Sequence, residues 1–323
     1  MNEKQMRKGL ATVFGGSGFI GRHVVRALIY DGWRVRVACR RPHLLKSFGE
    51  PGQIELIQAN LRDAQTIAAA LEGADAAVNL VGILAESDDQ TFTDIQSRGA
   101  RAVAEAVKEA GITRFVHISA IGARKDSASG YARSKAEGEA AVHELVPQAI
   151  IFRPSIVFGP EDDFFNRFAA MARLMPVLPL VGANTRFQPV FVDDIARAVA
   201  LALDGRATTG ATYELGGPEV KTFRELVQYV CDITQRRRYI VPLSFETGKL
   251  MAGVTQLASK LSFGLFPKLL SMTTDQVELL RRDNIVSDEA KASEKTLEGL
   301  GVAPQAIEVI IPTYLDRDHK AGR

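Results

Sequence analysis

Residues Leu10-Ala11-Thr12-Val13-Phe14-Gly15-Gly16-Ser17-Gly18-Phe19-Ile20-Gly21 run from an apolar strand straight into a GxxGxxG turn. A helix over about Ile20 to Tyr30 is expected next, then Asp31-Gly32 and a second strand, Arg34–Cys39. Glycines in a loop mean little alone. Between a strand and a helix inside a βαβ unit they are the fingerprint of a dinucleotide site. Gly15 permits the sharp turn, Gly18 lets phosphates approach the backbone, and Gly21 lets the helix pack closely on the sheet. The helix start offers free N–H groups and the positive end of its dipole to a pyrophosphate. Ser17, Phe19 and Ile20 fall within the same cradle.

The end of the second strand decides which dinucleotide is favoured. An NAD site usually places an acidic residue there to accept from the ribose 2′-hydroxyl. Here the strand ends Val37-Ala38-Cys39-Arg40-Arg41-Pro42, and no Asp or Glu occurs from Gly32 to Gly49. A guanidinium fork suits a 2′-phosphate and gains nothing from a bare hydroxyl. The missing acid and the two arginines point to NADP(H), against the plain alternative that Arg40 and Arg41 are solvated loop charges.

Strand then helix repeats along the first half, which predicts an α/β fold with a doubly wound parallel sheet of Rossmann type. The expected strands are Ile54–Gln58, Ala76–Val81, Arg114–Ser119 and Ala149–Phe152, and the expected helices are Thr66–Leu71, Phe92–Ala110 and Tyr131–Leu145. After Phe158 the alternation lapses, strand-like pieces return at Gln188–Val192 and Thr212–Leu215, and the remainder reads as largely helical. Residues 9–158 with 186–216 are therefore assigned to the nucleotide-binding domain. Residues 159–185 with 217–323 are assigned to a smaller, mainly helical C-terminal lobe.

Composition is that of an ordinary globular protein: 323 residues, 46% hydrophobic and 24% charged. Forty basic against 38 acidic residues give a net charge of +2, which offers no footprint for nucleic acid. The two cysteines, Cys39 and Cys231, lack metal-ligand spacing and fit a reducing compartment, so no metal is expected. The N-terminus, Met1 to Lys8, reads as polar and short for a targeting signal, and no run of 18 apolar residues occurs. A bacterial cytoplasm suits this chain.

The reactive constellation falls at the fifth strand and the next helix. Ser119 ends the strand, and Tyr131-Ala132-Arg133-Ser134-Lys135 opens the helix as YxxxK. Residues four apart share a helix face, so the Lys135 ammonium is expected near the Tyr131 phenol, lowering a pKa that is otherwise about 10. That makes Tyr131 a candidate general acid/base for a carbonyl–alcohol pair, with Lys135 also donating to ribose hydroxyls. A surface Tyr and Lys on an amphipathic helix is the plain alternative.

These motifs resemble the short-chain dehydrogenase/reductase superfamily in its extended or atypical branch, the family of NAD-dependent epimerases and dehydratases. The residues are Gly15/Gly18/Gly21, Asp63, Tyr131/Lys135, Arg153-Pro154-Ser155 and Pro189-Val190-Phe191-Val192-Asp193-Asp194. A narrower set resembles the NADPH-binding accessory (alpha subcomplex) subunit family of respiratory complex I. It comprises Asn79-Leu80-Val81-Gly82, Phe115–Ala120, Phe158–Phe168, Gln188–Val192, Thr274-Asp275-Gln276-Val277 and Leu297–Val302. The resemblance implies Asn60, Leu61 and Asp63 near the adenine, Leu80, Val81 and Gly82 along the crevice, and Arg153, Pro154 and Ser155 near the nicotinamide. It also implies a structural NADPH, complex I subunits as partners, and a position on the peripheral arm near the membrane and the ubiquinone site. That position would be the inner face of the cytoplasmic membrane, or the matrix side in a eukaryote. Two departures stand out: Asn60 replaces a frequent aspartate, and Ala120, Ile121 and Gly122 occupy the stretch where extended enzymes usually carry their Ser or Thr. Ser119 is thus either a catalytic hydroxyl or one that satisfies strand-end backbone groups.

Toward the C-terminus, Leu250, Val254, Leu257 and Leu261 fall at helical spacing, followed by Phe263, Leu265 and Phe266, with Arg236-Arg237-Arg238 upstream. This stripe either closes the lobe over the nucleotide site or docks residues 249–270 on a membrane subunit or a lipid surface. Two functions stay open. One is an accessory or assembly subunit holding NADPH. The other is an NADPH-dependent reductase or epimerase/dehydratase-like enzyme acting through Tyr131 and Lys135.

Overall fold

The computed structural model describes residues 8–44, 52–87, 89–261 and 272–315. Its first half alternates β1 (Leu10–Phe14), α1 (Phe19–Tyr30), β2 (Arg34–Cys39), β3 (Ile54–Gln58), α2 (Ala64–Leu71), β4 (Ala76–Asn79), α3 (Gly99–Glu109), β5 (Arg114–Ile118), α4 (Gly130–Leu145) and β6 (Ile150–Pro154). There follow β7 (Val157–Phe158), α5 (Phe164–Leu174), β8 (Val177–Val181), β9 (Arg186–Phe187), β10 (Val190–Phe191), α6 (Val192–Leu203) and β11 (Thr212–Leu215). The last part described carries β12 (Lys221–Thr222), α7 (Phe223–Ile233), β13 (Tyr239–Leu243), α8 (Phe245–Leu261) and α9 (Thr274–Leu279), then shorter turns.

Seven strands form one parallel sheet in the order β11-β6-β5-β4-β1-β2-β3. The chain leaves β1 in one direction and returns at β4 in the other, which opens a crevice at the carboxyl ends of those two strands. All five residues of β1 are buried, as a strand covered on both faces requires. Successive side chains alternate between two cores. Val13 packs with Val24 and Leu28 of α1 and with Ile195 and Val199 of α6, while Phe14 packs with Ile67, Val103 and Val142 from α2, α3 and α4.

A third core lies in the lobe, where Phe158, Phe165, Phe187 and Phe223 are buried together with Leu178 and Leu226. Its strands pair as β7 with β10, β8 with β13, and β9 with β12. The tail is thus less helical than its composition led us to expect, because the branched and aromatic run Tyr239–Leu243 finds a partner in Val177–Val181. Leu297, Leu300 and Val302, in the stretch assigned to the lobe, pack into the sheet core beside α1 and α6.

Two further differences bear on the site. The helix expected over Phe92–Ala110 opens with a wide π-helical turn, Thr93–Arg98, before α3 begins. Gln96 in that turn is buried, donates to the Ile83 carbonyl (2.6 Å) and accepts from Ser134 Oγ (2.7 Å). In α8 the helix packs through Gly248 and Ala252, not through the leucine stripe. A Cβ on Gly248 would lie 2.6 Å from Val181 Cγ2, so only glycine permits that approach. Leu250 is 71% and Val254 60% exposed. The side chains of Leu257 and Leu261, with Phe263, Leu265 and Phe266, lie outside the described residues. No helix among the described residues is long and apolar enough to cross a membrane.

Candidate nucleotide site

At the end of β1 the chain turns through Gly15, Gly16, Ser17 and Gly18 into α1. Gly15 adopts φ +77°, the left-handed region that favours glycine, and its N–H donates to the Ala38 carbonyl (3.1 Å), tying the turn to β2. A Cβ on Gly21 would meet the Gly15 carbonyl oxygen at 2.2 Å, so α1 sits on the turn itself. Gly18 differs. It is exposed, has φ −77°, and a Cβ there would come no closer than 3.4 Å to other atoms of the chain. Nothing within the chain demands glycine at that position, whereas a phosphate lying against the helix start does. No side chain caps α1, so its first N–H groups are left for a ligand, with Phe19 and Ile20 half-buried beside them. The chain fits a pyrophosphate.

Leu80 and Val81 close the crevice from the β4 side, where a Cβ on Gly15 would meet both within 3.2 Å. Across the turn, Cys39 is buried. Its thiol is pushed up by that burial, against hydrogen bonds from the Arg41 backbone and the Ser17 side chain. Arg40 and Arg41 are exposed just beyond it. The Asp89 carboxyl is held below its usual range by a hydrogen bond from Ser87, then by a backbone N–H, and further by the charges of Arg40 and Arg62. Arg62 also donates to the Asp89 carbonyl. Arg62, a third cation that the sequence reading passed over although it directly follows Asn60-Leu61, thus acts on the same carboxylate as Arg40.

The adenine-side residues are more committed to the fold than the resemblance implied. Asn60 Oδ1 accepts from the Arg62 N–H (3.1 Å), and Asp63 caps α2 by accepting from the Gln65 N–H (3.0 Å). Leu61 packs against Gly99, where a Cβ would lie 2.9 Å from Leu61 Cδ1. At the other end, Arg153 is turned onto α4. Its Nε and Nη2 grip the buried Glu139 carboxylate at 2.9 and 2.6 Å, with Glu214 3.7 Å away. Ser155 Oγ donates to Asn284, and the Pro154 carbonyl accepts from the Ile121 N–H (3.0 Å). Arg153 and Ser155 thus brace β6 against α4 and the 284 loop.

Lys135 is buried under the end of β4. Its ammonium donates to the Ile118 carbonyl (3.1 Å), and a Cβ on Gly82 would lie 3.3 Å from Nζ. Burial pulls its pKa down to about 8 against the opposing charge of Glu139. His117 lies in the same buried region, its Nδ1 3.3 Å from Asn79 Nδ2. It is held near 3 by burial and then by the Lys135 charge. Ser119 is also buried, and its Oγ has no hydrogen-bond partner among the described residues. It does not serve the strand-end backbone.

The Tyr131 expectation needs correction. Burial, and then the nearby Asp275 carboxylate, push the phenol up to about 12 instead of down. Lys135 does not offset this, since its ammonium is turned to the Ile118 carbonyl. The Tyr131 ring stands edge-on to Phe92 with centroids 5.7 Å apart. Asp275 reaches this helix end from the distant lobe, where no spacing rule could place it. A cavity of about 430 Å³ opens there between Glu86, Phe92, Arg133 and Asp275. Among the described residues no cluster of three or more His, Cys, Asp or Glu is placed to hold a metal.

With this geometry in hand, comparison with known proteins is informative. The family model "NAD dependent epimerase/dehydratase family" matches residues 11–216. An Arabidopsis thaliana mitochondrial protein, NADH dehydrogenase [ubiquinone] 1 alpha subcomplex subunit 9, is 37% identical over 97% of this chain and 79% of its own length. This chain belongs to the alpha subcomplex subunit 9 family, within the NAD-dependent epimerases and dehydratases. A ceramide reductase of Caulobacter vibrioides is 35% identical over 58% of the chain and 59% of its own length. Among solved structures, the dTDP-glucose 4,6-dehydratase DesIV of Streptomyces venezuelae, with NAD bound, superposes at TM-score 0.67. It covers 97% of this chain and 98% of its own at 22% identity, and so shares the fold.

Proposed function

We propose that this chain is an accessory or assembly subunit of respiratory complex I that holds NADPH as a structural cofactor. The observation that carries this reading is the extent of the likeness to alpha subcomplex subunit 9, which at 97% of the chain takes in the lobe as well as the sheet. A ligand bound only by the folded state stabilises it by mass action and needs no turnover. In this reading Gly15, Ser17, Gly18, Phe19, Ile20 and Gly21 hold the pyrophosphate. Arg40 and Arg41 meet the 2′-phosphate. Asn60, Leu61 and Asp63 border the adenine, Leu80–Gly82 line the crevice, and Lys135 and Ser119 face the nicotinamide ribose.

The exposed Leu250, Met251 and Val254 of α8, next to Lys249 in the chain, are the docking face for a membrane subunit or an anionic lipid surface. In this reading the protein sits on the inner face of the cytoplasmic membrane, or on the matrix side in a eukaryote. Gentle solubilisation of membranes, followed by identification of the proteins and the nucleotide that accompany the chain, tests the reading. A chain free of complex I subunits, or carrying no nucleotide, overturns it.

A second reading is supported by the buried, unpartnered Ser119 Oγ and by the likeness to a reductase. NADPH, when bound, supplies a hydride. Tyr131, protonated across neutral pH, would then present its proton to a substrate carbonyl oxygen that Ser119 orients. Substrate-dependent NADPH oxidation that disappears in Tyr131→Phe marks this reading.

A further inference from the structure

Phe115, His117 and Ser119 fall on one face of β5, the face that packs on α4 through Phe115 and Val142. The strand register sets His117 opposite Asn79 of β4. Ser119 extends the ladder past the end of β5, its N–H donating to the Phe152 carbonyl at 2.7 Å. Asn79, His117 and Ser119 are all buried.

The Asn79 amide fixes the state of the imidazole. Its Oδ1 accepts from the Val81 N–H (3.1 Å), so the other end of the amide is the nitrogen, and that nitrogen lies 3.3 Å from His117 Nδ1. An amide nitrogen only donates, so Nδ1 must accept and carries no hydrogen. An imidazolium, with both ring nitrogens donating, does not fit this contact, in keeping with the burial that holds the histidine near 3. The ring proton is therefore on Nε2.

That Nε2–H is buried and has no acceptor among the described residues, and the Ser119 hydroxyl is likewise buried without a partner. A buried donor left unpaired is costly, and native proteins satisfy such groups with ordered water where no side chain reaches. Neighbouring side chains of this layer are engaged elsewhere. Both Glu139 oxygens are held by Arg153, Gln96 Oε1 accepts from Ser134, and the Lys135 ammonium can only donate. Residues two apart on a strand stand about 6.6 Å from one another. A water bonded to two partners spans about 5.6 Å between them, so the interval suits a single bridging water.

We propose that a resident water joins His117 Nε2 to Ser119 Oγ, and that through it His117 is a positioning residue for the serine. The water accepts from the Nε2–H. With the neighbouring side-chain acceptors taken, it donates to Ser119 Oγ, which leaves the serine's own proton to be donated. A backbone N–H after β4 thus sets, through Asn79 and His117, the direction of a hydroxyl at the end of β5. Resting on the reading that NADPH binds in this crevice, the same hydroxyl serves the nicotinamide ribose as a donor.

Two measurements on the full chain test this. In the nucleotide-free protein labelled with ¹⁵N at histidine, long-range ¹H–¹⁵N spectra should show His117, identified by its contact with the Asn79 amide, carrying its proton on Nε2 across neutral pH. The Nε2–H should also give an Overhauser contact to bound water. A proton on Nδ1, an imidazolium, or an Nε2–H without a water contact overturns the proposal, and none of these outcomes depends on NADPH or on a variant. The second measurement is a double-variant cycle on NADPH binding. Ser119→Ala and His117→Phe should each weaken binding about three- to tenfold, and the two together no more than either alone. His117→Gln, which keeps a donor, should recover most of the loss. Losses that multiply in the double variant refute the link between the two residues. A chain that binds no NADPH refutes the structural-cofactor reading instead, and the spectra then decide the water.

Discussion

A 2′-phosphate presents several acceptor oxygens at a fixed angle, and a guanidinium matches them with parallel donors, so in the proposed site the side chains after β2 would select NADPH. Arg40→Ala should weaken NADPH binding by about 1.5–3 kcal/mol, the range for hydrogen bonds to charged groups, and leave NADH binding nearly unchanged. Calorimetric titration with both nucleotides checks this, and tighter binding of NADH by the unaltered protein would refute the assignment. Lys135 adds a pH dependence. Burial holds its pKa near 8, below the ordinary 10.5, so the free site loses the lysine's charge as pH rises through about 8. NADPH affinity should decline across that range, and Lys135→Met should bind weakly with no such decline. For folding the sign is the reverse. The unfolded lysine holds its proton up to about 10.5, so this group makes the fold more stable as pH rises from about 8 to 10.5.

At the scale of elements, α8 shows how periodicity identifies a stripe without saying which way it faces. Leu250 and Val254 recur at helical spacing, as core residues do, yet Gly248 and Ala252 are what the helix presents to Val181 and Val277. Small residues permit the closest approach of a helix to its neighbour, and the larger ones are left outside. Changing Leu250 and Val254 to Ser should therefore alter stability by no more than about 0.5 kcal/mol each, as exposed substitutions do. The same pair of changes should release the protein from membranes into the soluble fraction. Fractionation run beside a thermal melt checks both statements. A large drop in melting temperature, or unchanged membrane retention, would count against the docking face.

Across the whole molecule, the sheet and the elements around it are locked by charges brought together from far apart in the chain. Glu139 of α4 is buried and held by both arms of Arg153 from β6. Glu214 of β11 lies on the far side of the same guanidinium and accepts from the Ser287 N–H at 2.7 Å. Removing Glu139 leaves the Arg153 guanidinium with Glu214 alone, at the longer distance of 3.7 Å. Glu139→Ala should thus cost about 1–3 kcal/mol, the range for a lost hydrogen bond to a charged group discounted for the remaining partner, read as a lowered urea midpoint with an unchanged slope. A midpoint near that of the unaltered protein would show that water reaches Arg153 and replaces the carboxylate.

Local sequence was enough for whatever local chemistry decides. The glycine turn, the α/β alternation and the tyrosine–lysine spacing are set by backbone freedom and helical period within a dozen residues, and the parallel sheet with its crevice follows from them. The orphaned Ser119 hydroxyl required the fold, because a lost or gained partner is visible only when the strands are packed. So did the roles of Arg153, Ser155 and Asp63, whose side chains are taken by neighbours that no spacing rule predicts. Tyr131 is the sharpest case. Its sequence neighbour Lys135 argued for a lowered pKa, but the lysine turns to the Ile118 carbonyl at the end of β5 while Asp275 arrives from the lobe. The sequence by itself determined that a dinucleotide fold would form and where its glycine turn would lie. Only the tertiary structure decided their charges and free hydrogen bonds, because burial and through-space fields depend on what folding brings near, not on what lies adjacent in the chain.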